Sequence, residues 1–263
     1  MASVSAVAIG DLFGSIGRLP LALSLAVDDV HGRYRRTVLG PLWIVLGQAA
    51  MIGGFALVFS GLFRMDPQTY LLYLAAGFPI WTLISQFLVD MPFAFIAAKG
   101  VIESYELPWL THIWRRSFAY VLLFLHHLLI FFIAAAVLRA PFTATMLLLI
   151  PALCIALIAG AGVGMMLAAL NARYRDLQPA MSVIAGFMML LSPVLWRPEQ
   201  LHVNQWIVAL NPLHYYIKLL RDPLLNVAPT AELWIGTSLG AIALFGLGFL
   251  TFLLSRRRLY HWL

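Results

Sequence analysis

The sequence predicts an all-α polytopic membrane protein, one transmembrane domain over residues 1–263, and three observations predict it. First, 62% of the residues are hydrophobic and only 11% charged, against roughly 25% charged in ordinary soluble domains. A soluble globule of this length has to present much of its surface to water, and this chain lacks the polar residues to do so. Second, the charges leave long uncharged windows at 37–63, 67–89, 117–138, 140–172, 177–196 and 233–255. A helix crosses the hydrocarbon core with about 20 residues, and inside lipid the backbone must satisfy its own hydrogen bonds. Third, basic residues are uneven between the two sides. With six spans, twelve fall on the N-terminal side (Arg18, Arg33, Arg35, Arg36, Lys99, Arg115, Arg116, Arg173, Arg175 and Arg256 to Arg258) and five opposite (Arg64, Arg139, Arg197, Lys218, Arg221). The positive-inside rule places both termini in the cytoplasm.

Along the chain, residues 1–17 carry no basic residue before an apolar stretch, so no cleavable signal peptide is expected. Residues 1–36 form a cytoplasmic, interfacial segment. Leu23, Val27, Val30, Tyr34 and Val38 recur at spacings of three and four, with Asp28, Asp29, Arg33 and Arg36 largely off that stripe. This predicts an amphipathic helix in the interface, with Asp29 and Arg33 spaced to pair. Gly40-Pro41 then turns the chain into the membrane. Spans are expected at about 41–63, 70–89, 117–138, 145–170, 178–196 and 234–254. The link 90–116 mixes apolar residues with Lys99, Glu103, Glu106, Arg115 and Arg116, and connections that long are usually functional.

The outer connection 197–233 holds a seventh window, 200–217, with His202, Asn204, Gln205, Asn211, Pro212 and His214. That many polar groups predict short helices or a re-entrant segment rather than a lipid-facing span. Gly160, Gly162 and Gly164 with Ala161 and Ala168 predict close helix packing, and Gly53-Gly54 the same in the first span. His126 and His127 lie midway through the third span, where interhelical hydrogen bonding is expected. Trp43, Tyr70, Tyr73, Trp196 and Trp234 mark span ends, where aromatic belts belong.

Several functions are disfavoured. The net charge of +6 comes from arginine at membrane boundaries rather than a nucleic-acid patch. A lone cysteine, Cys154, allows no disulfide framework. No metal motif or paired carboxylates appear, so enzymatic chemistry finds little support, and a membrane glycosyl- or acyltransferase is kept as the main alternative from another class. A secondary transporter is disfavoured by the uncharged spans and the lack of an internal repeat.

The stretch Arg33-Tyr34-Arg35-Arg36-Thr37-Val38-Leu39-Gly40-Pro41-Leu42-Trp43 closely resembles the type 2 ABC exporter permeases, especially those exporting O-antigen, capsule or teichoic-acid polymers. Asn171-Ala172-Arg173-Tyr174-Arg175-Asp176-Leu177, Ser192-Pro193-Val194, and Asn211-Pro212 with Arg221 agree in order and place. The resemblance implies a homodimer working with two copies of a soluble ATPase in the bacterial inner membrane, moving a lipid-linked glycan outward. A lipid or drug exporter would share these features. Arg33, Arg35, Arg36, Lys99, Glu103 and Glu106 would contact the ATPase. Arg173, Arg175 and Asp176 fit either that coupling or a solvated turn. Asn211, Pro212 and Arg221 would shape an outer gate, and Trp43, Phe78 and Trp81 would offer the channel aromatic faces. No cofactor is expected on this chain. A P-loop needs Lys before Ser or Thr, whereas Lys99 precedes Gly100 and Lys218 precedes Leu219; ATP and Mg belong to the partner.

Overall fold

The computed structural model describes residues 4–34, 38–40, 42–200 and 204–263, and no strand occurs among them. Two helices, α1 (Val4–Ile16) and α2 (Leu19–Tyr34), replace the single interfacial helix expected at the N-terminus. They bend by 68°. The inward face of α2 is also different from the expected stripe. Ala22, Ala26 and Val30 are buried while Leu23 is exposed. Ala26 and Val30 lie on Ala119 and Leu123, because small side chains spaced four apart let one helix settle close to another.

Next come α3 (Leu42–Leu62) and α4 (Pro67–Val89). Gly40 takes φ +53° just before α3, a left-handed turn that suits glycine. Between α3 and α4, the Asp66 carboxylate accepts the Thr69 N–H at 2.8 Å with Pro67 in the first turn, a regular helix start. Hydrogen bonds from the Thr69 hydroxyl and N–H hold the Asp66 carboxyl below the usual carboxylate range. A 3-10 turn (Met91–Phe93), α5 (Ala94–Ala97) and α6 (Lys99–Ser104) follow, then α7 (Leu110–Val137). The third span therefore starts earlier than expected, and Arg115 and Arg116 lie on its second turn rather than in the link.

The remainder is α8 (Leu149–Arg173), α9 (Leu177–Leu191), α10 (Gln205–Leu210), α11 (Pro212–Leu224) and α12 (Ala231–Trp262), with 3-10 turns at Ala144–Leu148 and Pro198–Gln200. By length and composition α3, α4, α7, α8 and α12 are able to cross a membrane, and the bent α1–α2 pair is apolar enough to count as a sixth. The fifth expected span is the exception. Its helix, α9, has 15 residues, a rise of about 22 Å against a core of about 30 Å.

Packing centres on α4, whose side chains from Tyr70 to Trp81 are mostly buried, and on the contact between α8 and α12. There the glycine stripe does what its spacing predicts. A Cβ on Gly162 would sit 2.6 Å from the Leu244 carbonyl oxygen, and one on Gly248 would sit 2.0 Å from the Gly162 carbonyl oxygen. Gly160 and Gly164 admit Phe87 and Met91. Gly53 and Gly54 instead meet open space within this chain. Gly248→Val forces two backbones apart and is expected to lower stability by about 1–3 kcal/mol or more. Gly54→Ala has no such neighbour and is expected to leave monomer stability in detergent unchanged, as thermal unfolding of the two variants will show.

Candidate functional site

The end of the molecule opposite the basic residues is organised by the interruption of α9. Residues 192–196 leave the helix, so their carbonyls lose the donors a continuing helix would supply. In a bilayer such groups must be satisfied by protein. Two tyrosines and an arginine do this. Tyr70 Oη donates to the Leu195 carbonyl at 2.5 Å. Tyr73 Oη reaches the carbonyls of Pro193 at 3.0 Å and Trp196 at 2.9 Å. Arg221, only 4% exposed, donates to the Pro193 carbonyl at 2.6 Å. Its guanidinium lies 4.2 Å from the centre of the Tyr73 ring, with Arg197 at 5.0 Å from the same ring. That ring disperses charge that has little water around it.

Asn211 joins the gate helices to the same break. It donates to Ser192 Oγ at 2.8 Å and caps α11 by accepting the Leu213 N–H at 3.0 Å. Arg221 adjoins Gly77, whereas Leu213 and Tyr216 share a groove with Leu83 and Phe87, further along α4. Helix α11 thus starts deep and rises away from the basic end, and α10–α11 is a re-entrant pair meeting at Asn211–Pro212.

The basic end carries a second set of ties. Asp11 of α1 forms an ion pair with Arg256 of α12 and accepts the Trp109 N–H at 3.3 Å. The Arg256 guanidinium lies 4.5 Å from the centre of the Trp109 ring. Asp29 does not pair with Arg33; it takes Arg115 in a two-bond fork at 2.7 and 2.5 Å. Arg116 donates to the Asp90 carbonyl at 3.1 Å. Arg33, Arg115, Arg116, Asp28 and His112 line one cleft of about 520 Å³. The C-terminal residues are held by Lys99, which donates to the Leu263 carbonyl at 2.7 Å, and by Arg175, which donates to the Trp262 carbonyl at 3.3 Å. Asn171 donates to the Pro92 carbonyl and accepts the Gln178 N–H, tying α8 and α9 to the link. Glu103 makes an exposed pair with Lys99 at 3.9 Å; Glu106, Arg173 and Asp176 are exposed.

A third feature is a cavity of about 350 Å³ between α3, α4 and α7. Phe78 lines it with Gln48, Met51, Thr82, Gln86, His127 and Arg33. Gln48 Nε2, Gln86 Oε1 and His127 Nδ1 have no hydrogen-bond partner among the described residues. His126 bonds the Leu122 carbonyl of its own helix at 2.7 Å, so among the described residues neither histidine makes the interhelical bond expected of it.

Against known proteins, residues 22–225 match the model of the ABC-2 type transporter family. The chain belongs to the ABC-2 type transporter family. It is also 24% identical over 208 residues to the O-antigen export system permease protein RfbA of Klebsiella pneumoniae, covering 78% of this chain and 80% of that one. The chain is thus an ABC exporter permease, a non-catalytic transmembrane transport subunit and a multi-pass inner-membrane protein.

Of the permease residues singled out from sequence, Asn211, Pro212 and Arg221 converge with Ser192-Pro193-Val194 on the broken span, where Tyr73 reaches the Pro193 carbonyl across 120 residues of chain. Arg35 and Arg36 lie outside the described residues, as does Pro41. Trp43 is 55% exposed on α3, and Trp81 is buried. Sequence reasoning placed Tyr70 and Tyr73 in a lipid belt; both are buried. Their spacing of three on one helix face, opposite a proline-broken span, was the available signal. It also missed Asp11, Gln48 and Gln86. Tyr73→Phe and Arg221→Lys are each expected to lower stability by about 1–3 kcal/mol. Because both donate to one carbonyl, the double variant should lose more than the sum in a thermal-unfolding cycle.

Proposed function

We propose that two copies of this permease form the channel of an exporter that moves a lipid-linked polysaccharide of O-antigen, capsule or teichoic-acid type out of the cytoplasm. The observation that carries this is the family match over residues 22–225 in a chain that has no P-loop lysine of its own. ATP and Mg then bind two copies of a separate soluble ATPase. The cargo class is supported by a relative named as an O-antigen export permease.

The basic end faces the cytoplasm and receives the ATPase. Exposed Arg33, Glu103, Glu106, Arg173 and Asp176, with Lys99, Arg175, Arg35 and Arg36, form the contact surface. A push there reaches the spans because α1 is tied to α12 through Asp11 and Arg256, and α2 to α7 through Asp29 and Arg115. Ties of this kind are suited to moving helices as units. At the other end Asn211, Pro212 and Arg221 hold the re-entrant pair as an outer gate. Trp43 offers an exposed face to sugar rings, whereas Phe78, buried against Phe55 at the cavity wall, and the buried Trp81 would do so only as the helices part. Gln48 Nε2 and Gln86 Oε1, which line the cavity with Phe78 and have no partner among the described residues, suit a cargo rich in hydroxyls.

Purification in mild detergent from the native host is the direct test. A P-loop subunit should copurify in about equal amount and hydrolyse ATP; isolation of the chain alone, even after gentle crosslinking, would sink the proposal. A second expectation concerns the coupling surface. Replacing Arg33, Arg35 and Arg36 together with Ala should leave ATP hydrolysis in the assembled complex but abolish most export of lipid-linked glycan into the periplasm.

A further inference from the structure

The re-entrant course of α11 leaves a wedge between it and the first turns of α12. This cleft, about 480 Å³, is lined by Pro212, His214, Tyr215, Lys218, Glu232 and Gly236, with Tyr216 among its other residues. Its polarity is graded. Thr230 and Glu232 stand at the start of α12, with Lys218 facing them from α11. Deeper, Tyr216 Oη donates to the Thr237 carbonyl at 3.1 Å and so closes the polar part. Tyr216 also belongs to a second groove, lined otherwise by apolar residues, among them Leu83, Phe87, Ala156, Leu213 and Leu244. One residue therefore joins a charged mouth to an apolar track running towards the middle of the bundle.

We propose that this composite cleft binds one glycerophospholipid with a primary-amine headgroup, from the leaflet on the far side of the basic end. Dimensions, charge and unmet hydrogen bonding all favour that occupant. At 1.5 Å per residue, Leu244 lies about 18 Å below Glu232, close to the depth of one leaflet of a core about 30 Å thick. A wedge open to hydrocarbon fills with an acyl chain, since a void there forfeits contacts on every wall. At the mouth, the Glu232 carboxylate is exposed and suits an ammonium. Lys218, whose exposed side chain is 3.9 Å from Asp222, suits the phosphate. His214 lines the cleft with a buried Nδ1 that has no partner among the described residues, and it is 9% exposed. A lipid seated there braces α11 against α12 above their hydrogen-bonded contact, Tyr216 on the Thr237 carbonyl. The site is independent of what the permease exports.

The test uses the full-length protein, purified with its native lipids and then delipidated. Native mass spectrometry should find about one diacyl phospholipid per chain, and phosphatidylethanolamine should raise the Tm of delipidated protein more than phosphatidylcholine or phosphatidylglycerol. Gly236 has no atom within 4 Å of a Cβ, so Gly236→Leu fills the cleft without disturbing the fold. That variant should keep the Tm of delipidated wild type yet lose both the retained lipid and the response. Glu232→Gln should weaken the amine-headed lipid about fivefold, the worth of one charge at a headgroup, leaving phosphatidylglycerol unaffected. Equal responses to the three lipids, lipid retained by Gly236→Leu, or an isoprenoid lipid in place of the diacyl one would overturn the assignment.

Discussion

A helix that stops short inside a bilayer leaves carbonyl oxygens that neither water nor its own backbone is able to satisfy, and much of this structure follows from that constraint. Helix α9 ends at Leu191, and the carbonyls of Pro193, Leu195 and Trp196 become acceptors in search of donors. Tyr70, Tyr73 and Arg221 supply them. The donors come from two helices, the tyrosines from α4 and the arginine from α11, so the break is also a junction. It fixes the second span, the interrupted fifth and the re-entrant pair to one another. An arginine that is nearly wholly buried is costly unless it is hydrogen-bonded and its charge is spread; the Pro193 carbonyl and the Tyr73 ring meet both needs.

The opposite end uses a different chemistry for the same purpose. There the helices emerge towards water, and carboxylate–arginine pairs replace the tyrosine–carbonyl bonds. The Asp29–Arg115 fork and the Asp11–Arg256 pair are partly buried, so screening by solvent is weaker than for surface pairs such as Lys99–Glu103. The N-terminal helices are thereby attached to the spans rather than floating on the interface. Between the two ends, polar ties are few and shape takes over: Gly162 and Gly248 bring α8 and α12 into backbone contact, which is how helices associate where lipid is as apolar as their own side chains.

The sequence by itself determined the class of the protein, because a charge in hydrocarbon is expensive and uncharged windows therefore reveal spans without any knowledge of packing. It also determined that the polar window 200–217 was no ordinary span, and that Gly160, Gly162 and Gly164 mark a close approach. What only the tertiary structure decided was partnership. Asp29 lies four residues from Arg33 on one helix, so local spacing favours that pair, but α7 brings Arg115 in a geometry that satisfies both carboxylate oxygens. Tyr70 and Tyr73 sit at a span end, where a lipid belt is the usual use, and nothing local reveals that a broken helix far along the chain needs their hydroxyls. The end of α9 was legible only through Pro193, since residues 177–196 are uncharged throughout and hydropathy does not register where a backbone leaves the helix. Composition records the solvent each segment meets; which donor meets which acceptor depends on how distant segments are brought together, and that is set by the fold.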